Sequence, residues 1–240
     1  MRLVTNAKLI KRNSYIGNYA GLAALGVLLL SLAIPFVTRD PSFQFLQLIA
    51  LLGGIMLLNV GTYFRNRWVG PPRPDEALDA ALKGLDERHV LYHYRLPASH
   101  VLAAPSGVYA LVTKWHSGAI TYKDGKWKHP GHTWLMSLVG QEPLGNPVAE
   151  AGAEIDALSK FLEKRLAEFA VPVQGIVVFT NNRATVAADS PPLPILHAKQ
   201  LKEYIRRQPK GPSLSREALA QLNALLKVET RSDAASANSS

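Results

Sequence analysis

The chain has 240 residues, no cysteine, and 27 Lys and Arg against 18 Asp and Glu, a formal charge of +9. Without cysteine there is no disulfide scaffold, no thiol nucleophile, no cysteine-ligated zinc and no iron–sulfur cluster. The length allows one domain with an appendage. Charge is unevenly spread: none lies between Arg12 and Arg39, and none between Asp40 and Arg65.

These two gaps read as membrane spans. The apolar run Ile16 to Val37 and the run from Phe43 to Phe64 each supply the ~20 residues that a helix needs to cross the hydrocarbon core. A cleaved signal peptide is the rival reading of the first run, but its apolar stretch is long and a second follows at once. A buried globular hairpin would need a polar face that neither run has. Thr38-Arg39-Asp40-Pro41 is turn-like, so the spans form an antiparallel hairpin over residues 16–64. Lys and Arg cluster outside the turn, at Arg2, Lys8, Lys11 and Arg12 before the first span and at Arg65, Arg67 and Arg73 after the second. The positive-inside rule then places both termini and the soluble part in the cytoplasm. Tyr15, Tyr19, Phe36, Phe43, Phe45, Tyr63, Phe64 and Trp68 sit at the expected interfaces. Gly17-xxx-Gly21 and Gly53-Gly54 allow close helix approach, within the hairpin or between copies.

Residues 1–15 read as a basic cytoplasmic N-terminus and 65–74 as a Pro-rich linker. Residues 1–64 hold five of the basic and one of the acidic residues, which leaves the remainder at net +5. That charge suits nucleic acid or an anionic leaflet and demands neither. Asp75 to Leu85 reads as an amphipathic helix with Leu78, Leu82 and Leu85 in one stripe. His89 to Leu96 reads as a strand. His100 to Ala104 and Val108 to Thr113 are apolar runs joined by the turn residues Pro105-Ser106-Gly107. Asp124-Gly125 marks a hairpin between Ala119–Tyr122 and Lys126–Lys128. Asn146-Pro147 opens the clearest helix, Asn as N-cap and Pro as first residue. Val173 to Thr180 reads as a buried strand, Pro194 to His197 as a short one, and Ala198 to Arg207 and Leu214 to Val228 as helices. Residues 229–240 are small and polar, a tail without a core to join. The order gives an α/β domain over residues 75–228, a mixed sheet with helices on its faces.

The blocks HVLAAPSGVYALVTKWHSGAITYKDGKW, GNPVAEAGAEIDALSKFL and VQGIVVFT, in this order and spacing, resemble the nuclease-related domain, NERD, over roughly Asp75 to Arg207. The resemblance implies a restriction-endonuclease-like core of the PD-(D/E)xK type. Its chemistry uses carboxylates around a divalent metal, which activates water and neutralises charge on the phosphate, with a lysine beside them. By the resemblance, the first-helix acid falls at Glu76, the strand-opening Asp at Ser99, the acid of acid-x-Lys at Val112, its lysine at Lys114, and a helical polar position near Glu150. Glu76, Lys114 and Glu150 are thus the remnants of a catalytic set, and both strand carboxylates are replaced. No acid lies anywhere between Arg95 and Tyr122, so a shift of register does not restore them.

Histidines occur at His89, His93, His100, His116, His129, His132 and His197, without the helical spacing of a zinc protease. Trp115, Trp127 and Trp134 alternate with Lys114, Lys123, Lys126 and Lys128, a mixture that serves single-stranded nucleic acid by stacking and phosphate contact or simply forms a core and a solvated hairpin. There is no phosphate-binding glycine loop, nucleophile elbow or kinase signature. The expectation is a membrane-anchored pseudoenzyme that binds nucleic acid, a membrane protein or a second copy, with no cofactor. One alternative is an active Mg²⁺-dependent phosphodiesterase with relocated ligands, drawn from Glu76, Glu150 and a histidine. Another is a structural accessory subunit of a membrane complex.

Overall fold

A computed structural model describes residues 1–38, 40, 42–70, 72–130, 142–166 and 172–209, with residues 221 and 224. The chain divides into two compact units. One comprises residues 1–6, 77–128 and 145–240, and the other residues 7–76 and 129–144.

In the first unit, short β-branched and apolar runs build a mixed sheet of six strands. β1 (Arg2–Thr5), β2 (Val90–His93), β3 (His100–Ala104), β4 (Gly107–Lys114), β7 (Val173–Phe179) and β9 (Ile195–His197) lie in that order across it. β2, β3 and β4 form an antiparallel meander, and β1, β7 and β9 join parallel to their neighbours. Strand side chains alternate between faces, and both faces are covered. Leu91, Leu102, Leu111, Ile176 and Val178 pack with Leu78 and Leu82 of α3 (Pro74–Leu82) and Leu201 and Ile205 of α5 (Ala198–Arg207). Val90, Tyr92, Val101, Val108 and Ala110 face Leu158 and Leu162 of α4 (Pro147–Arg165). A second sheet places β5 (Gly118–Lys123) between β6 (Lys126–Lys128) and β8 (Ala184–Ala188).

The sequence expectation of a mixed sheet flanked by helices is met, and the order of helix, strands, helix and strand is the one read from the sequence. Two strands escape sequence reading. β1 lies inside the segment read as a plain basic terminus, and β8 lies between Thr180 and Pro194, where no element was assigned. The expected strand 89–96 is shorter at Val90–His93. Of the expected helix 214–228 only residues 221 and 224 are described, both helical, and the tail 229–240, His132 and Trp134 lie outside the described residues.

Caps match their chemistry. The Asn146 side chain accepts the Ala149 N–H at 3.2 Å. His197 caps α5: its Nδ1 accepts the Lys199 N–H at 3.2 Å, and Gln200 Oε1 accepts the His197 N–H at 3.0 Å. An imidazole as N-cap is an uncommon solution to the unpaired N–H groups of a helix start.

The second unit is built on α1 (Ala7–Val37) and α2 (Ser42–Trp68). Both are long and apolar enough to cross a membrane, and only 11% and 6% of their most apolar windows are buried. Such exposure separates them from the core helices of a soluble fold. α1 starts at Ala7, earlier than the apolar run read from the sequence. Its buried residues Ile10, Asn13, Gly17, Ala24 and Ser31 fall on one stripe. A Cβ on Gly61 would stand 2.8 Å from the Gly21 backbone nitrogen, and one on Gly17 3.0 Å from that of Arg65. Ser14 Oγ donates to the Trp68 carbonyl at 2.7 Å. Residues rise along α1 as their partners fall along α2, so the pair is antiparallel. The small residues serve packing within this hairpin, as small side chains do where backbones approach. Gly61→Val is expected to lower the melting temperature of the protein in detergent, whereas Gly53→Val, with nothing within 4 Å of its added carbon, is neutral; thermal scans of the two variants check this.

Candidate functional site

Lys114 ends β4, and Phe179 faces it across the parallel ladder with β7. Thr180 fixes the strand end by donating its N–H and its hydroxyl to the Lys114 carbonyl, at 2.9 and 3.3 Å. By alternation, Lys114 shares the α4 side of the sheet with Val108, Ala110 and Val112. Its side chain is only 6% exposed. An ammonium that far from water needs a counter-charge. Glu150, in the first turn of α4, supplies it: Lys114 Nζ donates to Glu150 Oε1 at 2.7 Å. Glu150 itself is 42% exposed, so one end of the pair is buried and the other meets solvent. Gly145 sits at φ +67°, and a Cβ there would come within 3.1 Å of Glu150 Oε1. Glycine is therefore required twice, for the turn and for the carboxylate.

The remaining remnants go elsewhere. Val112 is buried among the apolar residues of β4 and offers no ligand atom. Ser99 precedes β3, and its backbone N–H donates to Glu154 Oε1 at 3.4 Å. Glu154 lies one helical turn beyond Glu150, a spacing that puts both acids on one face of α4. It was missed in the sequence, although that spacing was there to find it. Glu76 is bound to Arg73: its Oε2 accepts the Arg73 N–H at 3.0 Å, and its Oε1 pairs with the guanidinium at 3.1 Å. The structure thus joins Lys114 with Glu150 and engages Glu76 locally.

The surroundings are dry. Burial pushes the Tyr92 phenol, on the α4 face, well above its ordinary range, and raises Tyr109 on the opposite face despite its bond to Ser106. In such an interior a charge pair is stronger than in water, and an unpaired charge is more costly.

The histidines do not collect. His89 turns to Asp86, His197 caps α5, and His93 and His100 bond to each other. Among the described residues no group of three or more His, Asp or Glu could hold a metal ion. The positions that the resemblance assigns to a divalent metal do not fit one. Val112 has no donor, the Ser99 N–H is directed at a carboxylate, Glu76 is held by arginine, and Glu150 is neutralised by lysine. Hard cations need several free charged oxygens.

Residues 74–180 match the family model of the nuclease-related domain, NERD, a segment that contains Glu76, Ser99, Val112, Lys114 and Glu150. Over that segment the chain is therefore similar to nuclease-related domains, and two apolar helices precede it. No curated protein and no solved structure matches the chain.

The ion pair is asymmetric in a way that can be measured. Glu150→Gln strands the buried ammonium and is expected to cost about 2 kcal/mol, less than for a fully buried pair because Glu150 is partly solvated. Lys114→Met removes the buried charge and leaves a carboxylate that can turn to water, so it costs less. Chemical denaturation of the two variants reports the difference; an equal or inverted order would contradict it.

Proposed function

We propose that this protein is a membrane-anchored nuclease-related domain that has lost its metal centre and acts as a binding module at the cytoplasmic face, with nucleic-acid phosphate as its ligand. One observation carries the reading. Where the family chemistry calls for a cation held by strand carboxylates, this chain has a buried lysine neutralised by Glu150 at 2.7 Å, and Val112 and Ser99 replace the carboxylates. The charge that would meet a phosphate is thus built into the protein, held in reserve by Glu150. Lys114 becomes the point of contact when a phosphate displaces the half-exposed Glu150 carboxylate from it, and phosphate attraction to lysine does not depend on base sequence.

The α1–α2 hairpin anchors the module. Two spans return the chain to its starting side. The pairing of β1, before the first span, with β2, beyond the second, supports the same conclusion: both must lie on one side of any bilayer. The Lys and Arg flanks argue that this side is the cytoplasm.

The test uses the full chain in detergent, because removing residues 1–64 would also remove β1 from the sheet. Mg²⁺ or Mn²⁺ is expected to leave the melting temperature unchanged, and neither single-stranded DNA nor RNA should be cleaved. An oligonucleotide should bind with an affinity that falls as salt rises, and Lys114→Ala should weaken it. Metal-dependent cleavage would overturn the pseudoenzyme reading, and absence of salt-sensitive binding would overturn the nucleic-acid reading.

The orientation has its own test, which the absence of cysteine makes simple. Asp40→Cys and Ser236→Cys are each the sole thiol in their variant. A membrane-impermeant maleimide applied to sealed vesicles whose outer surface is the cytoplasmic one should label position 236 and spare position 40. The reverse pattern would invert the topology.

A further inference from the structure

The small sheet is anchored by its inner face. Ile120 and Tyr122 of β5 are buried, and Trp127 of β6, the register partner of Tyr122, is half-buried. The Trp127 ring lies 5.0 Å from that of Tyr122 and 6.2 Å from that of Phe179, the last residue of β7. Phe179 stands opposite Lys114, so these rings pack where β4 and β7 end. By alternation the other face of the small sheet turns away from them.

That outer face is exposed and basic. It carries Thr121 and Lys123 of β5, Lys126 and Lys128 of β6, and Thr185 and Ala187 of β8. Lys126 stands directly opposite Lys123, and Lys128 opposite Thr121. Like charges that face each other across a ladder destabilise it. Among the described residues none of the three lysines makes an ion pair or a side-chain hydrogen bond. The nearest acids in the chain are Asp124 in the turn and Asp189 beyond β8, whose Oδ1 accepts from the Ser190 hydroxyl at 3.2 Å. Lysine guards an edge strand against pairing with another chain, which accounts for Lys126 and Lys128. Lys123 is on the central strand of this sheet, where that reason does not apply. The fold gains nothing from this cluster, so its charge answers to an anion outside the chain.

Connectivity decides which anion is within reach. β1 runs parallel to β2, with Thr5 level with His93. His93 is opposite His100, where β3 begins, and β4 runs antiparallel to β3. β1, β4 and β7 therefore finish at one end of the large sheet, where Phe179 meets Trp127. From that end Thr5 leads through Asn6 to Ala7, the first residue of α1. Trp115 follows Lys114 there and is 48% exposed. Tryptophan is at home at the level of lipid headgroups. Single-stranded nucleic acid would need aromatic faces for its bases, and the outer face of the small sheet offers only threonine and alanine between its lysines. An anionic leaflet needs charge alone, and a domain tethered to a bilayer meets it at high effective concentration.

We infer that Lys123, Lys126 and Lys128 form a docking surface for the anionic headgroups of the bilayer into which α1 and α2 insert. The inference rests on those helices spanning a membrane and is independent of the phosphate contact assigned to Lys114.

The experiment uses the full chain in nanodiscs, with Ala187→Cys as the sole thiol carrying a fluorophore on the outer face. Discs of phosphatidylcholine, with or without phosphatidylglycerol, contain a lipid that bears a quencher on its headgroup. Quenching should be at least about twofold greater in the anionic discs. It should return to the neutral level at about 1 M salt, where the screening length is ~3 Å. The combined variant Lys123→Gln, Lys126→Gln and Lys128→Gln should quench equally in both discs, and it should keep its melting temperature and the oligonucleotide binding that depends on Lys114. Should that variant fail to fold, the lipid and salt dependence of the labelled chain decides. Failure of the unsubstituted chain to bind an oligonucleotide, with quenching still governed by lipid charge, would remove the nucleic-acid reading and support this one. Quenching that ignores lipid charge, or that persists in the combined variant, would overturn the docking surface. Loss of oligonucleotide binding in that variant, with quenching indifferent to lipid charge, would overturn it in favour of nucleic acid on the same face.

Discussion

β4 has no side left for water. It is hydrogen-bonded to β3 on one edge and β7 on the other, its apolar residues meet α3 and α5 on one face and α4 on the other, and it still carries a lysine at its end. Much of the domain answers to that arrangement. A strand covered on both faces requires helices before and after the meander. A buried ammonium requires an anion within reach, and this places Glu150 in the first turn of α4. That turn in turn depends on the Asn146 cap, the proline after it and a glycine before it that leaves room for the carboxylate.

Seen in this way, strands without carboxylates and the lysine pair belong together. A metal centre balances a cation against several acids. Here β3 and β4 carry no acid, the cation is a lysine of the chain itself, and a helix supplies the balancing acid. The charge arithmetic of the site closes without any added ion. A cation arriving from solution would have to compete with Lys114 for Glu150, and Val112 would give it nothing in return.

Much of this was legible in the sequence where the signal is local. The two apolar helices, the turn at Pro105-Ser106-Gly107, the hairpin at Asp124-Gly125 and the cap at Asn146 each rest on a few adjacent residues whose chemistry admits little else. The absence of any acid between Arg95 and Tyr122 was legible too, because no register can invent one. What could not be read depends on distant partners. Arg2–Thr5 is four residues long and acquires meaning only beside Val90–His93. Ala184–Ala188 has no periodic pattern and is a strand because β5 lies next to it. His93 and His100 looked like separate polar residues in apolar runs. Their spacing hides the fact that a hairpin sets them ring to ring, with an aspartate from the preceding helix behind them. Glu76 looked like a free acid in a first turn, and the arginine that occupies it lies three residues earlier in the linker.

The pairing of β1 with β2 has a consequence for biosynthesis. The edge strand is made first, the hairpin second, and the neighbour it needs last. When Arg2–Thr5 leaves the ribosome, no complementary strand exists, and both apolar helices are synthesised before Val90 appears. The backbone groups of β1 that will bond to β2 stay hydrated through that interval. Arg2 within β1 and Lys8 just beyond it favour that hydrated state. Completion of the domain is thus ordered in time: both apolar helices are made before the β1–β2 ladder can close, and its closing draws an earlier segment of the chain onto a much later one.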